Sequence, residues 1–160
     1  MTPAEVQELG NKLEETPGNI RKLISNVPDS ELRWKRSPAY FSILENICHL
    51  RDIELEGYTV RLQKLLRETK PLLADIKGDQ LAIERKYNEQ PLEPALAAFA
   101  SGRLANVRLI RGLSEEQLRR TGTLETVGQI TLEKLLQMIL EHDEDHLEQM
   151  AEAKNRSARA

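Results

Sequence analysis

The chain has 160 residues, 39% hydrophobic and 31% charged, and its 23 basic and 26 acidic side chains give a formal charge of -3. That length and balance suit one soluble domain, and without a concentrated basic field nucleic acid is not an expected partner. No apolar run approaches the ~18 to 20 residues of a membrane span, Met1 to Asn19 has no signal-peptide core, and a single cysteine excludes an internal disulfide framework, so a reducing cytoplasm is the expected compartment.

Aromatics are scarce and long β-branched runs are few, so the chain reads as helical. The first helix is expected to open at Thr2-Pro3-Ala4-Glu5. Thr2 caps, Pro3 suits the first helical position and Glu5 completes a capping box. Val6, Leu9, Leu13, Ile20, Leu23, Ile24 and Val27 follow at helical spacing, and Pro17-Gly18 predicts a kink or two collinear helices. Residues 28–38 read as a connection with one short turn. Ser42-Ile43-Leu44-Glu45 is a second capping box, opening a helix of roughly 40 Å that ends before Lys70-Pro71. Residues 71–94 read as loop with some helix, and residues 94–113 as a third long helix. The Thr and Gly residues of 120–130 predict a turn or short hairpin. A last helix begins near Thr131, carries Leu132, Leu135, Leu136, Ile139, Leu147 and Met150, and is expected to fray from Ala153. The pattern predicts an all-α four-helix bundle: one domain over 1–155 and a frayed tail at 156–160.

Chemistry concentrates in Glu141-His142-Asp143-Glu144-Asp145-His146. His142 and His146 are four apart on a helix, with Cβ atoms about 5 to 6 Å apart, a spacing that lets two imidazoles reach one metal ion. Both lie in or beside the stripe formed by Leu132, Leu135, Ile139, Leu147 and Met150, while Glu141, Glu144, Asp145 and Glu148 occupy the other side. Inward imidazoles need partners, because an unpaired buried polar group costs roughly 1 to 3 kcal/mol. A pair of satisfied core histidines is the competing reading. The third histidine, His49, shares a face with Glu45, Asp52 and Glu56, opposite Ile43, Ile47, Leu50 and Tyr58. A solvated polar face and a metal pocket both explain that arrangement, and periodicity does not choose between them.

Ser42-Ile43-Leu44-Glu45-Asn46-Ile47-Cys48-His49-Leu50-Arg51-Asp52-Ile53-Glu54 resembles the first metal motif of the DinB-like superfamily. Gly128-Gln129-Ile130-Thr131-Leu132, followed by His142-Asp143-Glu144-Asp145-His146-Leu147, resembles the second. The stretch from Leu13 to Leu32, with Thr16-Pro17 and Pro28-Asp29-Ser30-Glu31, is similar to that family's first helix and turn. The resemblance implies an up-down-down-up bundle whose second and last helices gather three histidines around a divalent ion, often nickel or zinc. It assigns His49, His142 and His146 as the ligands. Tyr40-Phe41 stands where relatives usually have Trp, and Trp34 lies earlier in the chain.

Three neutral imidazoles with open positions form a catalytic type of site. One chemistry is hydrolysis of an ester, amide or related electrophile by activated water; the other is activation of a low-molecular-weight thiol for transfer or isomerisation. The resemblance implies the second, since characterised members are thiol-dependent S-transferases and a thiol-dependent isomerase. The alternative to an enzyme is a non-catalytic, stress-linked metal-binding module, and a cavity over the open metal face would discriminate. Asp143, in the apolar arc, is the candidate catalytic residue, as outer acceptor or weak general base; a carboxylate bonded to a neighbouring helix is the competing reading. Glu45 is first the capping partner of Ser42. Asp52 is placed to hold the free N–H of His49 or to pair with Arg51, and Cys48 reads as a small buried residue. Arg33-Trp34-Lys35-Arg36 reads as a solvated turn. The expected partners are a small-molecule substrate and a second copy in a homodimer, with no nucleic acid and no membrane.

Overall fold

Side-chain caps set where the helices of this computed structural model, which describes residues 1–160, begin. Thr2 and Glu5 form the expected reciprocal box, and α1 runs from Pro3 to Ile24. Pro17 neither breaks nor splits it. A proline removes the N–H that would reach the carbonyl four residues back, here Leu13, and the Arg103 guanidinium donates to that carbonyl instead at 3.0 Å. A short helix α2 (Asp29–Leu32) lies in the connection. Ser42 and Glu45 box the start of α3 (Ile43–Asp52), which passes through a π-helical turn (Ile53–Tyr58) directly into α4 (Thr59–Arg67).

The stretch that read as loop with some helix holds β1 (Leu72–Leu73), α5 (Gly78–Glu84) and a 3₁₀ turn at Tyr87–Glu89. It leads to the long α6 (Leu92–Arg111) and a one-turn α7 (Glu115–Leu118). The expected hairpin is β2 (Thr121–Leu124) with antiparallel β3 (Gly128–Thr131), and β1 adds to it in parallel, opposite Thr123 and Leu124. Gly122 permits that third strand, since a Cβ there would sit 2.9 Å from the Pro71 carbonyl oxygen. Thr131 caps α8 (Leu132–Ser157). Fraying from Ala153 is corrected: the helix continues to Ser157, Ala153 is buried, and the Lys154 ammonium donates to the Leu23 carbonyl at the end of α1.

Cross-helix bonds give the directions. Met1 reaches Glu133 and Thr16 reaches Asp143, so α1 and α8 run parallel. Gln7 meets Arg111 and Arg21 meets Glu93, so α1 and α6 are antiparallel. Glu54 contacts Arg103 and Thr59 contacts Asn106, so α3–α4 and α6 are parallel. The order is up-down-down-up. Residues 71–91 carry the chain between the two parallel middle helices, the long crossover that this order requires.

Two apolar clusters fill the bundle. One gathers Leu9, Leu13, Leu62, Leu65, Val107, Leu135 and Ile139; the other gathers Ile20, Ile43, Ile47, Leu96, Phe99 and Met150. Between them in chain register lie buried Thr16, Glu54, Arg103, Asn106, Asp143 and His146. No helix is long and apolar enough to cross a membrane.

Candidate metal centre

The antiparallel pairing of α3 with α8 brings the histidines to one level, because His49 lies near the end of α3 and the couple near the middle of α8. Ring centroids are 4.5 Å apart for His49 and His146, 4.4 Å for His142 and His146, and 5.2 Å for His49 and His142. One ring nitrogen from each lies within 4.8 Å of the others. The Nε2 atoms of His49 and His142 are 3.1 Å apart. Two nitrogens bound at ~2.0–2.1 Å to one tetrahedral ion would be about 3.3 Å apart. Of the two readings left open for His49, the solvated polar face is the one the fold does not adopt.

Asn46, unremarked in the sequence, decides which nitrogen His146 offers. Its side-chain N–H₂ donates to the Ser42 carbonyl at 2.9 Å, which leaves its Oδ1 as an acceptor, and that oxygen lies 2.6 Å from His146 Nδ1. His146 therefore carries its proton on Nδ1 and keeps a lone pair on Nε2, the arrangement by which an outer partner orients a ligating imidazole. The Nδ1 atoms of His49 and His142 are buried without a partner. Gly78, at the start of α5, closes on His49: a Cβ there would lie 2.5 Å from its Cε1 and 2.7 Å from its Nδ1. Only glycine lets the backbone approach so near. Phe41 packs on His49 at 5.5 Å between centroids, and Tyr58 meets His142 edge-on at 5.8 Å.

Burial is the main reason that all three imidazoles resist protonation, and mutual repulsion adds to it for His49 and His142. His142 is pushed down to about 2 and His49 to about 4, and His146 is lowered as well. At neutral pH all three are uncharged, the form that binds a metal ion. Three neutral rings, two Nε2 atoms at ligand spacing and a third Nε2 oriented by Asn46 fit a divalent cation.

The carboxylates around the rings are committed elsewhere. Asp143 accepts from Thr16 of α1 at 2.6 Å and from two nitrogens of Arg103 of α6. The expected general-base role gives way to the competing reading, a carboxylate that joins helices. Asp52 does not reach His49; it accepts from Arg51, Arg85 and Tyr87. Glu45 answers the Ser42 cap and pairs with Lys35 at 2.8 Å. Cys48 is buried and its thiol is pushed up to about 11, chiefly by burial, so it stays protonated.

A cavity of about 480 Å³ opens onto His49 and His146. Trp34, Tyr40 and Phe41 supply an aromatic wall, and Arg36, Asp79, Glu152 and Arg156 supply charge. The 33–36 cluster is therefore not a plain solvated turn. Arg33 donates to the carbonyls of Asn88 and Gln90, Lys35 holds Glu45, and Trp34 and Arg36 line the cavity.

The sequence profile of the DinB superfamily matches residues 12–150, and the chain belongs to that superfamily. Among solved structures it is similar to YfiT from Bacillus subtilis, described as a probable metal-dependent hydrolase with an unusual four-helix bundle topology. The two share 20% identity at a TM-score of 0.90, over 99% of this chain and 90% of that one, a likeness of fold. No curated protein sequence matches.

Proposed function

We propose that this protein is a metal-dependent enzyme acting on a small molecule, with His49, His142 and His146 as ligands of one divalent ion, nickel or zinc, and with thiol transfer as its reaction. The observation that carries the proposal is the cavity lying against two of three neutral, clustered imidazoles. Such an ion, when bound, supplies Lewis acidity that lowers the pKa of a bound water toward ~7 and deprotonates a bound thiol outright. His146 is held for that task through Asn46, and His49 is held between Phe41 and Gly78. The commitment of Glu45, Asp52 and Asp143 favours a thiol, whose nucleophile needs no carboxylate base once it is a thiolate.

Hydrolysis is the second reading. Asp79 makes no ion pair, lines the cavity beside Gly78 and is placed to handle a proton, and the structural neighbour YfiT is described as a probable hydrolase. Metal analysis decides the first point: wild-type protein is expected to carry about one ion per chain, and His146→Ala is expected to lose it. Equal content in both would remove His146 from the site. With the loaded protein, conjugation of a small thiol to 1-chloro-2,4-dinitrobenzene, with release of chloride, is expected; hydrolysis of 4-nitrophenyl acetate without thiol would favour the second reading.

A further inference from the structure

The cavity continues past the histidines. A second hollow of about 510 Å³ shares Trp34, Arg36, Glu152 and Arg156 with it and ends at Arg159 and Ala160, so the two form one trough along the last turns of α8. At their junction the side chains of Arg36 and Arg156 are both about half exposed, and both lean on a single oxygen of Glu152, at 3.8 and 3.0 Å. Each thus presents one nitrogen to Glu152. The contrast is with Arg85, which grips both oxygens of Glu56, and Arg103, which grips both of Glu54. A guanidinium fork matches the two oxygens of a carboxylate or phosphate, and charge-assisted pairs of this kind are the strong ones. The face of Tyr40, with the Arg36 guanidinium 4.7 Å from its centroid, orients one fork. The other carboxylate of the wall, Asp79, belongs to the inner hollow alone, and Ala160 to the outer one alone.

We propose that the substrate carries an anionic group, a carboxylate or a phosphate ester, which docks on Arg36 and Arg156 while its reactive end lies against His49 and His146. The inference rests on the reading of this cavity as the substrate site and adds the class of molecule that fills it: an elongated anion with an apolar middle segment against Trp34, Tyr40 and Phe41.

Trp34 is the single tryptophan of the chain and lines both hollows, so its fluorescence reports occupancy of the trough. Octanoate, octyl phosphate and the uncharged octanamide are titrated into the full chain, as purified and after dialysis against EDTA. At least one of the two anions is expected to saturate with a dissociation constant about tenfold below that of octanamide, and which one does so separates carboxylate from phosphate. In Arg36→Gln/Arg156→Gln that advantage is expected to vanish while octanamide binding is kept. Arg156→Lys, which keeps the charge and loses the fork, is expected to retain only part of it. Circular dichroism confirms that the variants are folded. Equal binding of all three probes, no saturable response, or an advantage that survives the double substitution would each overturn the inference. Discrimination after EDTA in a protein that never binds zinc would leave this inference standing and sink the metal reading. A zinc-binding protein without discrimination would do the reverse.

Discussion

Asn46 has a leverage out of proportion to its size, because one amide fixes the tautomer of His146. Asn46→Leu keeps the branched outline of the native side chain and removes the acceptor. Zinc affinity, measured by competition with a fluorescent chelator, is expected to fall roughly 10- to 100-fold. Gly78→Val tests the other support. The added side chain meets the His49 ring, so the ring must move, and a similar loss of zinc affinity is expected; Gly18→Ala, where a Cβ meets nothing within 4 Å, is the control expected to leave affinity unchanged. His142 and His146 were legible in the sequence because i,i+4 spacing and position on a wheel are local properties; His49 was not, since its wheel position suits a solvated face as well, and only the family resemblance singled it out. Asn46 was not, since a polar residue inside a helix has no local mark that separates a solvent-facing amide from a buried acceptor. Asp143 was legible as an inward carboxylate, but its partners Arg103 and Thr16 lie 40 and 127 residues away and could not be paired with it. Arg103 itself left a readable trace, a lone charge in the stripe of Leu96, Phe99, Val107 and Ile110.

At the scale of the element, two departures from regular helix meet at Arg103. Pro17 frees the Leu13 carbonyl, and the π turn contains Glu54; Arg103 serves both while gripping Asp143. Removing that guanidinium strands two buried carboxylates and a carbonyl. Arg103→Met is expected to lose about 3–5 kcal/mol of unfolding free energy in urea denaturation, whereas Arg21→Met, on the exposed pair with Glu93, is expected to lose less than about 1 kcal/mol. The capping boxes at Thr2 and Ser42 marked two helix starts in the sequence, because each acts over three residues. The π turn escaped because one extra residue in a turn rotates everything after it by roughly 100°. A regular wheel sets Tyr58 opposite His49, and the inserted residue swings it round to the edge of His142. The third strand escaped too: β1 is two residues long and its partners lie about 50 residues further on.

The molecule buries three neutral imidazoles at its centre, and this gives its stability a definite pH dependence. In an unfolded chain an imidazole takes up a proton near 6.5, while folded His49 resists protonation down to about 4 and His142 down to about 2. Across that window the unfolded state binds more protons, so stability falls as pH drops below 6.5. With EDTA present, His49 alone is expected to remove about 3 kcal/mol between pH 7 and pH 4, seen as a falling urea midpoint. His49→Gln should flatten that part of the curve. Zinc at pH 7 is expected to raise the melting temperature of the wild type.

The three clustered histidines come from opposite-running helices, and His142 follows His49 by 93 positions. On a ribosome adding about 5–20 residues per second, those two side chains are made roughly 5–20 s apart. During that interval the nascent chain offers a cation a single imidazole, too little to trap it. A three-nitrogen site for an ion would therefore exist only once the fourth helix has been made, so such an ion would act as a late clasp on the bundle and not as a seed for its first three helices.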